Sequence, residues 1–382
     1  MENFVMYNPV KLHFGKGVAE NAGKSALKYG SKALLVYGKG SVKHSGAYDD
    51  TVKSLKEAGV KVVEYSGIKS NPVIEDADKA AELGRKENVD MIVAVGGGSV
   101  IDCAKVISVA IPYEKPAWNL VSGAEKPQSA IPLLSVLTLA ATGTEMNANA
   151  VIQSDKLLKK VGFKNNLMFP KHSFLDPSYT TTVPADYTAY GVVDLVAHAL
   201  EAFFGKGDST LTDKFIFSII KEAFEYGPEL MEDLENYKLR EKVMFAATCA
   251  LNGMTVWGKQ GQDWGVHAIG HVLSVIYDIP HGASLSVVYP AWLKLFKDRI
   301  PERVGELGLG LFDDSNASNL INNLENYFSK IRAAVRLSQL KIDITDKKEK
   351  DRIIEVMTDN KVSGFNYEMT REDYSVLLDL MA

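Results

Sequence analysis

The chain is short of the features that mark secreted, membrane-spanning or nucleic-acid-binding proteins. It has only two cysteines, Cys103 and Cys249, in 382 residues. Both fall in helical-looking segments, so no disulfide framework is expected and a reduced cytoplasm is the fitting compartment. No apolar run approaches bilayer length, and Met1-Glu-Asn-Phe-Val-Met-Tyr-Asn-Pro9 has neither a basic stretch nor a sustained apolar core. Neither a signal peptide nor a membrane span is therefore expected. Positive charge is not concentrated either: 43 Lys and Arg are scattered among 48 Asp and Glu, for a net charge of −5. That leaves no basic stripe for nucleic acid. Repeats and low-complexity linkers are missing as well. Histidine is scarce, yet four of the seven lie between 198 and 281.

Those four form a pattern. Asp194-Leu-Val-Ala-His198 and His267-Ala-Ile-Gly-His271 are both i, i+4 doublets, and His281-Gly282 follows the second after nine residues. On a helix such spacing stacks two side chains on one face. A carboxylate and up to three imidazoles can then converge on one divalent cation, a donor set suited to zinc or iron(II) with a position left open for substrate. The bland alternative is a set of ordinary helix residues, with Asp194 a first-turn carboxylate favoured by the helix dipole. Ala268 stands where a zinc peptidase has its glutamate, so peptidase chemistry is not supported.

Apolar residues make up 46% and charged residues 24% of the chain, as in ordinary globular proteins, and its length implies two domains. In the first part, short apolar strands alternate with amphipathic helices. Ala33–Tyr37, Val60–Tyr65, Met91–Val95 and Ile131–Leu137 read as strands, with helices near 47–58 and 74–88 between them. This predicts a parallel sheet covered on both faces. Beyond Pro184 strand signals vanish. Helices are expected over 187–204, 209–226, 236–256 and 260–276 and through most of 286–382, with a loop at Leu307–Asp314 and a last helix capped by Thr370 and Asp373. The expected division is an α/β dinucleotide-binding domain at 1–184 and an all-α metal and substrate domain at 185–382.

The strand Met91–Val95 runs into Gly96-Gly-Gly-Ser99 and then a helix. Glycines let backbone approach a pyrophosphate, and a helix N-terminus aims its N–H groups at the anion. Ile101 replaces the third glycine of the usual dinucleotide fingerprint, and no P-loop pattern is present, so a plain strand–helix turn competes with a nucleotide site. Thr138, Thr142 and Asn149 follow the next strand as further hydrogen-bonding candidates or ordinary turn residues, and Lys160 reads by default as a solvated charge.

Taken together, Gly96-Gly-Gly-Ser-Val-Ile-Asp102, Ala141-Thr-Gly-Thr-Glu-Met-Asn147, Asp194-x3-His198 and His267-x3-His271-x9-His281-Gly282 resemble the signatures of the iron-containing (group III) alcohol dehydrogenases. The likeness runs from about residue 7 to about 290 and is vaguer beyond. Tyr37-Gly-Lys-Gly-Ser-Val-Lys43 and Asp263-Trp264 resemble the butanol dehydrogenase and NADPH-dependent aldehyde reductase subgroup. The resemblance implies an active site in a cleft between the two domains. It makes Asp194, His198, His267 and His281 the ligands of one Fe²⁺ or Zn²⁺, with His271 near the nicotinamide. It gives Gly97, Gly98, Ser99, Thr138 and Thr142 to the pyrophosphate and ribose, Asp102 to the nicotinamide end, and Asn149 and Lys160 to the nicotinamide ribose. A homodimer is implied too, joined through an N-terminal strand for which residues 4–14 have a suitable apolar pattern.

NAD-preferring relatives often carry an Asp after the first strand; here that place is Gly38, flanked by Lys39, Ser41 and Lys43. A loop without a carboxylate tolerates a 2′-phosphate, so NADP(H) is expected over NAD(H). The expected reaction interconverts short primary alcohols and aldehydes, such as butanol and butanal. Competing readings are a glycerol- or propanediol-type dehydrogenase, a dehydroquinate-synthase-like lyase, and a metal-stabilised scaffold without activity. Apolar and aromatic neighbours of the ligands (Leu195, Val196, Phe203, Trp264) argue against the lyase, which needs cations around its substrate.

Overall fold

A computed structural model describes residues 1–382 as two compact units. One is Tyr7–Pro184 with Asp233–Asn252; the other is Met1–Met6, Ala185–Glu232 and Gly253–Ala382. The chain thus changes units at 184/185, but the division expected at 1–184 and 185–382 is amended at two segments. The Tyr237–Ala250 helix joins the α/β unit because its polar groups are satisfied there. Thr248 donates to Glu145 Oε1 at 2.6 Å, Asn147 donates to the Leu251 carbonyl at 3.2 Å, and Arg240 reaches the Val183 carbonyl at 3.2 Å.

The α/β unit has eight strands: β1 (Lys11–Phe14), β2 (Lys32–Tyr37), β3 (Lys61–Ser66), β4 (Met91–Gly96), β5 (Leu133–Leu137), β6 (Asn149–Ser154), β7 (Lys159–Lys164) and β8 (His172–Leu175). Six form one sheet in the order β1-β8-β5-β4-β2-β3, parallel throughout, while β6 and β7 make an antiparallel hairpin. Side chains alternate faces along each strand. Leu34, Val36, Ile92 and Ala94 pack on one side with Ile101, Ala104 and Ile107 of the Gly98–Ala110 helix. Leu35, Val93 and Val95 pack on the other with Val52 and Leu55 of the Ala47–Glu57 helix. The connections leaving the neighbouring strands β2 and β4 therefore cover opposite faces. That arrangement opens a crevice beyond the carboxyl ends of these two strands, where open α/β sheets bind ligands.

The other unit is helical. Its Ala185–Phe203 helix is buried along most of its length. The loop expected at Leu307–Asp314 is instead the second half of the Pro301–Phe312 helix. Its glycines serve close packing: a Cβ on Gly310 would lie 2.4 Å from the Phe217 ring, and one on Gly308 2.3 Å from the Asp314 carbonyl. Val304, Leu307 and Leu311 meanwhile point inward at helical spacing. The last helix, Arg371–Met381, has the capping pair expected of it: Asp373 N–H donates to Thr370 Oγ1 and Thr370 N–H to Asp373 Oδ2.

Candidate metal centre and cofactor loop

At the carboxyl ends of β2 and β4 the backbone is shaped by small residues. Gly97 caps the Gly98–Ala110 helix, whose first N–H groups have no intrahelical acceptor. A Cβ on Gly98 would lie 2.6 Å from Thr142 Cγ2, and one on Gly38 would lie 3.8 Å from Val100 Cγ2. Thr142 and the β2 loop thus flank the same helix start. Thr138 follows β5, its N–H on the Gly96 carbonyl at 3.0 Å. The Ser99 hydroxyl donates to the Ser70 carbonyl, and the next residue, Asn71, takes Lys160 Nζ at 2.9 Å. Lys160 is therefore no free solvated charge; it ties the hairpin to the loop after β3. Lys39 and Ser41 are exposed, whereas Lys43 Nζ lies 4.7 Å from the centre of the Tyr48 ring.

Asp102 lies one turn into the helix and is anchored inside the protein. Oδ1 accepts from Thr144 Oγ1 at 2.5 Å and Oδ2 from Val151 N–H at 2.8 Å. Close by, Lys105 is fully buried and donates to the Thr144 carbonyl and Oγ1, to Asn147 Oδ1 and to the Asn149 carbonyl, at 2.6–3.0 Å. Asp102 and Lys105 together fix the 144–151 segment that carries Asn149.

The second cluster lies within the helical unit. Asp194 and His198 share one face of the Ala185–Phe203 helix, and His267 and His271 share one face of the Gly265–Tyr277 helix. His281 opens the His281–Phe296 helix. Ligand atoms of Asp194, His267 and His281 all lie within 4.8 Å of one another. His198 Nδ1 is 3.6 Å, and His267 Nε2 3.8 Å, from Asp194 Oδ1. The ring centres of His198 and His267 are 4.7 Å apart, those of His267 and His281 5.2 Å. His271 is outside the ligand-atom group of Asp194, His267 and His281: its ring is 6.5 Å from that of His267, though only 5.0 Å from that of His281. Gly282 permits this convergence, because a Cβ there would meet the Tyr190 carbonyl at 2.2 Å and push the third helix away from the first.

The chemistry of the cluster suits a cation. Asp194, His198 and His267 are all about 95% or more buried, and neither His198 Nδ1 nor His267 Nε2 has a hydrogen-bond partner in the protein. Such nitrogens are costly unless something coordinates them. Burial pulls the His198 pKa down to about 4, leaving a neutral imidazole with an available lone pair. Burial also opposes charge on His267, but Asp194 and Glu201 outweigh it and push its pKa up to about 9. A site that draws a proton this strongly between two carboxylates is built for positive charge.

Family comparisons agree along nearly the whole chain. The model for iron-containing alcohol dehydrogenases matches residues 9–177, and that for the family's C-terminal part matches 188–379. The chain belongs to this family. It is 38% identical to the probable NADH-dependent butanol dehydrogenase 1 of Bacillus subtilis, over 99% of each sequence. It is 36% identical to the NADPH-dependent aldehyde reductase YqhD of Escherichia coli, over 90% of each. The crystal structure of NADH-dependent butanol dehydrogenase A from Thermotoga maritima superposes with a TM-score of 0.96 at 36% identity, covering 100% of this chain and 99% of that one. As an iron-containing alcohol dehydrogenase, the protein is an oxidoreductase that uses a nicotinamide cofactor and a metal. Membership displaces the lyase and inert-scaffold readings. No helix is long and apolar enough to cross a membrane.

One residue of the dehydrogenase's helical unit, Glu201, escaped the sequence reading, and Trp264 was read only as part of the family likeness and as an aromatic neighbour of the ligands. Glu201 lies one helical turn past His198; its Oε1 is 2.8 Å from His267 Nδ1 and its Oε2 accepts Trp264 N–H at 2.5 Å. Trp264 has φ 64, a left-handed conformation unusual for a bulky residue, and its indole packs edge-on against His267 with centres 5.0 Å apart. A signal for Glu201 was available: 194, 198 and 201 follow the i, i+4, i+7 stripe of one helix face.

Proposed function

We propose that the protein is a metal-dependent, NADP(H)-preferring alcohol dehydrogenase working chiefly as an aldehyde reductase on short primary substrates such as butanal. The observation that carries this reading is the convergence of Asp194, His267 and His281 within 4.8 Å, with His198 beside them. Those four residues are the proposed ligands of one Fe²⁺ or Zn²⁺. When bound, the metal supplies Lewis acidity toward a carbonyl or alkoxide oxygen, and the nicotinamide donates or takes the hydride. In reduction, aldehyde, NADPH and one proton give alcohol and NADP⁺. His271, on the same helix as His267 and beside His281, is the proposed carrier of that proton.

For the cofactor, Gly97 and Gly98 offer backbone at the helix start, and Ser99, Thr138 and Thr142 surround it as proposed partners of pyrophosphate and ribose. Asn149 and Lys160 are proposed for the nicotinamide ribose. Asp102 is proposed at the nicotinamide end, and its two internal hydrogen bonds favour an organising role over proton transfer. Relatives carry both NADH and NADPH in their names, so the choice rests on the loop at Gly38. No carboxylate occurs from 38 to 46, and the exposed Lys39 and Ser41 offer a cation and a hydroxyl to a 2′-phosphate.

The test is butanal turnover by the metal-reconstituted protein with each coenzyme. NADPH should give the higher kcat/KM; a tenfold advantage for NADH would overturn the preference, and no turnover with either would overturn the substrate. The assembly is proposed as a cytoplasmic homodimer: β1 ends the sheet with an open edge, and Tyr7 just before it is 65% exposed. Light scattering should give twice the chain mass, and a single-chain mass would refute this.

A further inference from the structure

We infer that Glu201 is a positioning residue for the metal centre: it fixes His267 in the form that presents Nε2 to the cation, and it locks together two of the three helices that carry proposed ligands. This rests on the proposed ligand set.

The geometry is specific. Glu201 is 1% exposed and receives three N–H groups from the start of the Gly265–Tyr277 helix. Oε1 takes the His267 backbone N–H at 3.0 Å and lies 2.8 Å from the His267 ring nitrogen Nδ1, while Oε2 takes Trp264 N–H at 2.5 Å. A carboxylate only accepts, so Nδ1 must carry hydrogen, and once a cation displaces the second ring proton Nε2 is the lone-pair nitrogen that faces it. Nε2 is the atom that faces Asp194 at 3.8 Å and has no hydrogen-bond partner. The other two bonds cap a helix whose first N–H groups would otherwise be buried without acceptors, and they place negative charge at its positive end. They also hold Trp264 in its left-handed conformation, with the indole against His267. One face of the Ala185–Phe203 helix thus provides Asp194 and His198 to the cluster directly and acts on His267 through Glu201. Carboxylates behind metal-bound imidazoles raise ligand basicity, and losing them typically weakens metal binding about 10–100-fold.

The experiment compares full-length wild type, Glu201→Gln, Glu201→Ala and His267→Ala after chelator stripping. Each is titrated with Co²⁺, followed by visible absorption and by competition with a chelating dye, and each metal-free form is melted. The expected result is that Glu201→Gln stays folded, melting within a few degrees of wild type, but binds Co²⁺ at least tenfold more weakly and with a shifted visible band. Gln keeps an acceptor for Nδ1–H but loses the charge and sets an amide against Trp264 N–H. If Glu201→Gln matches wild type in affinity and spectrum while His267→Ala binds no Co²⁺, the inference fails and the ligand set stands. If His267→Ala binds like wild type, the ligand set itself fails. If both Glu201 variants cannot fold while His267→Ala does, Glu201 serves helix packing alone and the inference is again overturned.

Discussion

His267→Ala is expected to lose bound metal and turnover together, with kcat falling on the order of a thousandfold or more, since Lewis-acid stabilisation amounts to several kcal/mol. His267 is the hub of the cluster. Its ring is the common neighbour of His198 and His281, and its Nε2 faces the same Asp194 oxygen as His198 Nδ1. Without it three donors remain, too few to hold the ion firmly. The fold should survive, because alanine favours the helix and Glu201 keeps the two backbone N–H groups it caps. Elemental analysis, steady-state kinetics and a melting curve check all three parts. A variant with full metal content and normal kcat would remove His267 from the centre.

Lys105→Met should cause the largest loss of stability, about 3–5 kcal/mol, the range for removing one member of a buried charged network. The methionine fills the volume but removes four hydrogen bonds, leaving the Thr144 and Asn149 carbonyls and Asn147 Oδ1 with only their weaker or remaining donors. The 144–151 segment should loosen, and coenzyme binding should weaken with it. Urea unfolding reads this effect, and it has a pH signature. Burial lowers the Lys105 pKa to about 8, against the opposing pull of Asp102 and Glu145. Between that value and the ordinary lysine value near 10.4 the unfolded chain holds a proton that the folded one has shed. Lys105 therefore adds stability as pH rises from 8 to 10. The wild-type-minus-variant difference should widen over that interval, and a flat or narrowing difference would contradict the buried placement.

The sheet was legible where strands are purely apolar. Ala33–Tyr37 and Met91–Val95 are buried on both faces and read as such. The four-residue β8 (His-Ser-Phe-Leu) and the hairpin strand β7, rich in lysine, carry too little apolar signal to be read as strands. Helix-breaking residues misled the reading at 307–314, where glycines serve close packing rather than a turn. The candidate cluster left a signal because Asp194 and His198 lie one helix turn apart, as do His267 and His271, and local spacing survives in sequence. Glu201 shares the helix-face spacing of Asp194 and His198, but its role was not legible, because its partners Trp264 and His267 lie more than sixty residues away. Nor could sequence foretell that Asp102 is held by Thr144 and Val151.

The return of Asp233–Asn252 to the α/β unit bears on how the chain can be cut and made. A gene fragment stopping at residue 184 would omit the acceptor-seeking Thr248 hydroxyl and leave Glu145 without it. During synthesis the sheet domain cannot be finished until residue 252 has left the ribosome, by which time the first two long helices of its neighbour have already emerged. The two bodies must mature side by side, and a nascent chain stalled between 185 and 252 would display an unfinished surface to chaperones and proteases.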